Sequence, residues 1–114
     1  MTIYGDGSQT RTFTYIDDNI DTIIKIFNDK LVVNDVINLG NDTLTTIKEL
    51  AELIIKETNS SSKIINLPPL ADGDMTRRQP DNKAMKTILS RPLIEIQDGI
   101  KRLLNSDAFK ETIA

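Results

Sequence analysis

Thr46-Ile47-Lys48-Glu49 is the feature that most limits how this chain can fold. Threonine followed three residues later by glutamate forms a capping box, in which each side chain accepts the other residue's backbone N–H. The helix it opens carries Ile47, Leu50, Ala51, Ile54 and Ile55 on one side and breaks at residues 58–62. On both sides of that helix the periodicity changes. Thr2 to Tyr4 is a short β-like stretch ending in a Gly5-Asp6-Gly7-Ser8 turn. Residues 11–16 alternate Thr12 and Thr14 against Phe13 and Tyr15, the pattern of a half-buried strand. Residues 35–39, apolar and β-branched, read as a buried strand, and residues 63–67 as another. Asp17 or Asp18 caps a helix with apolar Ile20, Ile23, Ile24 and Phe27. Asp81 caps a short one with Ala84, Met85 and Ile88, ending at Arg91-Pro92. A last helix covers residues 95–105, with Ile96, Ile100, Leu103 and Leu104 inward. The expected class is mixed α/β (α+β), short strands with about four helices.

Length and composition then remove whole classes of function. With 114 residues the chain fits one domain or part of one. A complete dinucleotide-binding fold needs several βαβ units of about 30 residues each. The absence of cysteine and histidine excludes thiol nucleophiles, disulfides, thiolate or imidazole metal sites and a Ser-His-Asp triad. A net charge of −3 argues against nucleic acid as a partner. No apolar run is long enough to span a bilayer, and no charged-then-apolar leader opens the sequence. The expectation is a cytoplasmic protein.

No catalytic set is present. A tyrosine base activated by a lysine four residues on is missing, because Ser8 follows Tyr4 at that distance and Asn19 follows Tyr15. No glycine-rich fingerprint opens a helix, so nothing cradles a cofactor pyrophosphate. Asp6, Asp17, Asp18, Asp72 and Asp74 have no calcium-loop spacing; turn and cap duty accounts for them. Asp17 and Asp18 fit a helix start better than paired catalytic carboxylates. Anion binding has more support. Arg11 follows a glycine-rich turn, and Arg77 and Arg78 sit in the irregular stretch 68–80. Arginine presents a planar fork that holds two phosphate oxygens at once. The competing account leaves these arginines solvated or paired with Asp72, Asp74 and Asp81. The Tyr4-Gly5-Asp6-Gly7-Ser8-Gln9 turn offers backbone amides and an aromatic wall beside a base, or else an ordinary hairpin.

Residues 3–18, beginning Ile3-Tyr4-Gly5-Asp6-Gly7-Ser8-Gln9-Thr10-Arg11, resemble a stretch of the extended short-chain dehydrogenase/reductase family, the NAD-dependent nucleotide-sugar epimerases, dehydratases and decarboxylases. Asn38-Leu39-Gly40-Asn41 with the capped helix resembles the family's next landmark. Asp74-Met75-Thr76-Arg77-Arg78-Gln79-Pro80-Asp81 with Lys83-Ala84 resembles the basic loop after it. The Gln-Thr-Arg and Arg-Arg-x-Pro-Asp forms are most similar to the UDP-glucuronate decarboxylases, also called UDP-xylose synthases.

The resemblance implies the C-terminal, nucleotide-sugar-binding portion of such an enzyme over residues 1–114, without the Rossmann half, as a piece of a larger enzyme or a split-gene product. In the family NAD oxidises the sugar at C4, carbon dioxide leaves C5, and NADH returns the hydride. This chain is expected to be inactive alone and to bind no NAD itself. The resemblance places Arg11 and Arg78 at the diphosphate and ribose, with Arg77 beside them, and Tyr4 to Gln9, both included, at the base. Implied partners are a UDP-sugar, a Rossmann half on the same or a separate chain, and a second copy through the uncovered face of Ile23, Ile24 and Phe27. Another epimerase or 4,6-dehydratase, or a non-catalytic binding module, are the alternatives. Met75 replaces a usual proline, and Leu89-Ser90-Arg91 replaces a helix-ending Leu-Gly-Trp, which implies relaxed packing at the helix end in a truncated or degenerating copy, or simple divergence.

Overall fold

The computed structural model describes residues 1–70, 73, 75–107, 109 and 110. Strand β1 (Thr2–Tyr4), strand β2 (Thr10–Thr12) and helix α1 (Ile16–Asn28) come first. Strand β3 (Leu44–Thr46), helix α2 (Ile47–Glu57), strand β4 (Ile65–Leu67), helix α3 (Lys83–Leu89) and helix α4 (Ile96–Asn105) follow. The class is the mixed α/β one expected, with short strands and four helices among the described residues. None of these helices is long and apolar enough to cross a membrane.

The capping box forms as its sequence requires. Glu49 N donates to Thr46 Oγ1 over 3.1 Å, and Thr46 N donates to Glu49 Oε2 over 2.8 Å. The two N–H groups between them are also satisfied: Ile47 N donates to Gln9 O and Lys48 N to Gly7 O, each over 3.1 Å. A helix start leaves four such donors without an intrahelical partner, so the turn of residues 5–9 is held by the donors it satisfies.

Thr46 is also the last residue of β3, which pairs antiparallel with β2 in the register Thr10 with Thr46, Arg11 with Thr45 and Thr12 with Leu44. β1 pairs instead with β4, in parallel, with Ile3 opposite Asn66. The turn at residues 5–8 therefore joins two separate ladders, and the hairpin alternative does not form.

Helix α2 packs against α4, and α1 against α3. Ile3, Ala51, Met85 and Leu89 make the apolar core. Helix α1 leaves its apolar face uncovered, as the resemblance implied, and buries polar residues instead. Ile20, Ile23, Ile24 and Phe27 face outward, Phe27 being 83% exposed, whereas Asp18 and Thr22 are fully buried. The α1 cap position is Tyr15, with no side-chain bond, so neither Asp17 nor Asp18 is the cap. Asp18 instead accepts from Arg91 NH1 over 2.6 Å and from Ile94 N over 2.9 Å. Arg91 NH2 bonds Asp21 over 2.5 Å, so one guanidinium ties two positions of α1 to the segment after α3. These two bonds hold the Arg91 pKa above its ordinary value, the Asp21 bond counting most.

The α3 end is not loosened. Ser90 takes the left-handed conformation, φ 55°, that a glycine would adopt freely. Lys25 Nζ donates to Leu89 O over 2.6 Å and to Ser90 Oγ over 2.8 Å, and Leu89 stays buried. The loss of glycine is offset by a lysine reaching across from α1.

Residues 35–39 do not form the expected strand. A strand needs a neighbouring edge, and no described strand lies alongside; Val36 is 87% exposed. Just before it, Lys30, Val32 and Asn34 all have positive φ, an unfavourable conformation for the β-branched Val32.

Replacing Arg91 leaves the buried Asp18 carboxylate with only the Ile94 N–H. Arg91→Ala should therefore destabilise the chain by about 2–4 kcal/mol, discounted from a fully buried pair because Arg91 is partly exposed. Thermal melts at neutral pH check this, and an unchanged midpoint would remove the clamp from the stabilising interactions.

Candidate functional site

Beside the turn held by α2 lies an open cleft of about 520 Å³, lined by Tyr4, Gly5, Asp6, Ser8, Gln9, Pro69, Leu70, Gly73 and Thr76. Its shape follows from local chemistry. Gly7 has φ +79°, and a Cβ there would sit 3.0 Å from Lys48 Cβ and 3.2 Å from Lys48 N, so the turn can approach α2 only with glycine. Asp6 Oδ1 accepts from Ser8 N over 2.9 Å and Ser8 Oγ over 2.7 Å, closing the turn on itself. Gln9 Nε2 donates to Tyr4 O over 3.1 Å, and the Tyr4 ring is half exposed on the cleft wall. Asn66 Nδ2 donates to Gly5 O over 2.7 Å, fixing the turn to β4 from the other side.

The three arginines are brought to one region. Thr10 of β2 forms a parallel bridge with Arg77, and Thr10 N donates to Thr76 O over 2.9 Å. The basic loop thus runs alongside the strand that carries Arg11. Arg11 NH1 donates to Thr10 O over 2.8 Å and to Met75 O over 2.6 Å, so its guanidinium is turned toward that loop. Arg77 NH2 donates to Gln79 Oε1 over 2.5 Å, and Arg78 is exposed. Tyr4 and Gln9 line the cleft; Arg11, Arg77 and Arg78 are not among its lining residues. Asp72 and Asp74, the other partners considered for the arginines, lie outside the described residues, while Asp81 ion-pairs with Lys83 at 4.0 Å.

Sequence reasoning missed the supports behind this loop. Gln79 Nε2 donates to Asp42 O over 2.7 Å, and the Asp42 carboxylate accepts from Lys86 Nζ of α3 over 2.6 Å. Asn82, buried, donates to Gly40 O over 2.8 Å, while Gly40 N points at Met85 Sδ. Asn41 N donates to Thr14 Oγ1 over 2.7 Å. The landmark at residues 40–42 is therefore a junction of the segment after β2, helix α3 and the basic loop. Its signal in the sequence was the pairing of Asn, Gly and Pro near segment ends, which gives no hint of long-range partners. Among the described residues no group of three or more acidic, histidine or cysteine side chains could hold a metal.

No family model matches the chain. It is 35% identical over 105 residues to UDP-glucuronic acid decarboxylase 1 of Danio rerio, across 91% of this chain and 24% of that protein. A UDP-glucose 4-epimerase from Thermotoga maritima, solved with UDP-glucose, superposes with a TM-score of 0.81 at 26% identity, over 100% of this chain and 36% of that one. A UDP-glucuronic acid 4-epimerase from Bacillus cereus, solved with UDP-glucuronic acid and NAD, gives 0.76 at 27% identity, over 99% and 35%. The chain spans about a quarter to a third of the length of the curated relatives it matches. In sequence and fold the chain is similar to the C-terminal portion of NAD-dependent nucleotide-sugar enzymes of the extended short-chain dehydrogenase/reductase family. Within that family its relatives are UDP-glucuronic acid decarboxylases and related epimerases.

Two predictions follow from the turn and its supports. Gly7→Ala should cost about 1–3 kcal/mol, through positive φ and the Lys48 contact, measurable by urea unfolding; a neutral result would mean that the turn can leave α2 freely. Three carboxylates are held below their ordinary pKa: Asp42 by the Lys86 hydrogen bond, Glu49 by the Thr46 N–H and then its hydroxyl, and Asp6 by the Ser8 hydroxyl and then its N–H. Such groups stabilise the fold above the unfolded carboxylate pKa, and the contribution fades as pH falls through the folded values. Melting midpoints should hold level down to about pH 5 and drop below about pH 4, and Lys86→Met should make that drop shallower. An identical acid slope in Lys86→Met would exclude the Asp42 pair as a source.

Proposed function

We propose that this chain supplies the nucleotide-diphosphate site of a UDP-sugar enzyme, as the C-terminal portion of an NAD-dependent UDP-glucuronate decarboxylase. The observation that carries this reading is the Thr10–Arg77 bridge. It sets a loop with two arginines beside a strand bearing a third, next to a cleft with a tyrosine wall. Guanidinium groups recognise a diphosphate through paired, charge-assisted hydrogen bonds worth roughly 1.5–3 kcal/mol each. In this reading Arg11 and Arg78 contact the diphosphate and ribose, Arg77 reinforces them, and Tyr4 and Gln9 flank the base. The solved relative with UDP-glucuronic acid and NAD supports a nucleotide-sugar ligand.

NAD supplies hydride chemistry in the family, but the residues present here do not fit it. None of the glycines at positions 5, 7, 40, 73 and 99 opens a helix, and Gly99 lies inside α4 against the Tyr15 ring. The dinucleotide site belongs to a Rossmann half, on the same chain or another, and the outward apolar face of α1 supports such a partner. That same face supports self-association when the partner is absent. The cysteine-free sequence fits a cytoplasmic setting. Taken alone, these residues bind and do not turn over substrate.

Calorimetry on this chain should show weak UDP binding, with Kd on the order of 1 mM, because most of the cleft wall is missing and its loops must be ordered on binding. Arg11→Ala together with Arg78→Ala should abolish the heat. Tight binding that survives both substitutions refutes the site, and turnover of UDP-glucuronate by the purified chain with NAD refutes the division of labour.

A further inference from the structure

We infer that Gln79 is a positioning residue that sets the Arg77 guanidinium, and with it the basic loop, at the height of the β2 strand for a nucleoside diphosphate; this rests on the function proposed above.

The Gln79 side chain is used at both ends. Its Oε1 accepts from Arg77 NH2 over 2.5 Å, and its Nε2 donates to the Asp42 carbonyl over 2.7 Å. Only this orientation of the amide serves both partners, because a guanidinium has no acceptor and a carbonyl no donor. The far end of the connection is not loose. Asp42 is tied through its carboxylate to Lys86 of α3, and the preceding Asn41 to Thr14 through the 2.7 Å bond from its N–H. Asn41 Oδ1 in turn accepts from Thr43 N over 2.8 Å. A rigid junction therefore reaches through one neutral amide to a cation that would otherwise sample many rotamers at the surface. Ordering such a side chain before a ligand arrives removes part of the entropy cost of binding. A neutral amide suits this task. A carboxylate at position 79 would hold Arg77 more strongly but would neutralise it and repel a diphosphate.

The test uses the isotope-labelled whole chain, with NMR relaxation of the Arg77 Nε–Hε group in the free protein and a UDP titration. Gln79→Leu removes both bonds; Gln79→Glu keeps the acceptor for Arg77 and loses the donor to Asp42. In Gln79→Leu, Arg77 should become mobile and UDP affinity should fall about tenfold, while the melting midpoint stays within about 3 °C, as for other exposed sites. In Gln79→Glu, Arg77 keeps an acceptor but loses the tie to Asp42, so Arg77 should again become mobile and UDP affinity should still fall. Arg77 that remains ordered in Gln79→Leu overturns the inference, and so does unchanged UDP affinity with a mobile Arg77. If UDP does not bind the unsubstituted chain, the proposed function fails and Arg77 order alone decides whether Gln79 holds it.

Discussion

Everything near the candidate site hangs on the first turn of α2. A helix start exposes unsatisfied N–H groups, and here each of the first three finds a partner that also shapes the cleft: Gln9 O, Gly7 O and Thr46 Oγ1. The cap threonine is at the same time the end of β3, so the β2–β3 register, the helix axis and the residue 5–9 turn are fixed by one residue and its neighbours. Gly7 is what lets the turn approach closely enough for its carbonyl to accept the Lys48 N–H. Remove any one of these and the other two lose their geometry, which explains why so short a set of strands can hold a defined cleft at all.

A second set of constraints ties α1 to α3 and to the segment after it. Helix α1 meets α3 through ionic and polar groups, with Asp18, Thr22 and Lys25 inward and its isoleucines outward. An amphipathic helix normally turns the other way. Asp18 tolerates full burial because Arg91 and the Ile94 N–H satisfy it, the condition under which a buried carboxylate is stable. The arrangement keeps an apolar surface available while the polar face does the anchoring.

The capped helix, the short-strand class and the helix over residues 95–105 were readable from the sequence, because each depends on residues close together in the chain. Three features were not. Asp18 has the sequence setting of a cap, but Arg91, 73 positions away, draws it inward. Residues 35–39 have the composition of a strand, yet composition cannot supply the partner edge that a strand needs. Ser90 stands where a glycine belongs, and the lysine that compensates for it is on another helix. The candidate arginines were legible as residue types, but their gathering depends on the Thr10–Arg77 bridge, 67 positions apart, which no local pattern encodes.

The parallel pairing of β1 with β4 carries a temporal consequence. Gly5 and Asn66, joined across that ladder, are 61 positions apart. On a ribosome making about 5–20 residues per second, the amino-terminal strand waits roughly 3–12 seconds for its mate to be synthesised. Helix α2 and the β2–β3 ladder can assemble during that interval, whereas the tyrosine-lined wall cannot close. The cleft is thus completed only after the helix that supports its turn, and before α3 and α4 are made.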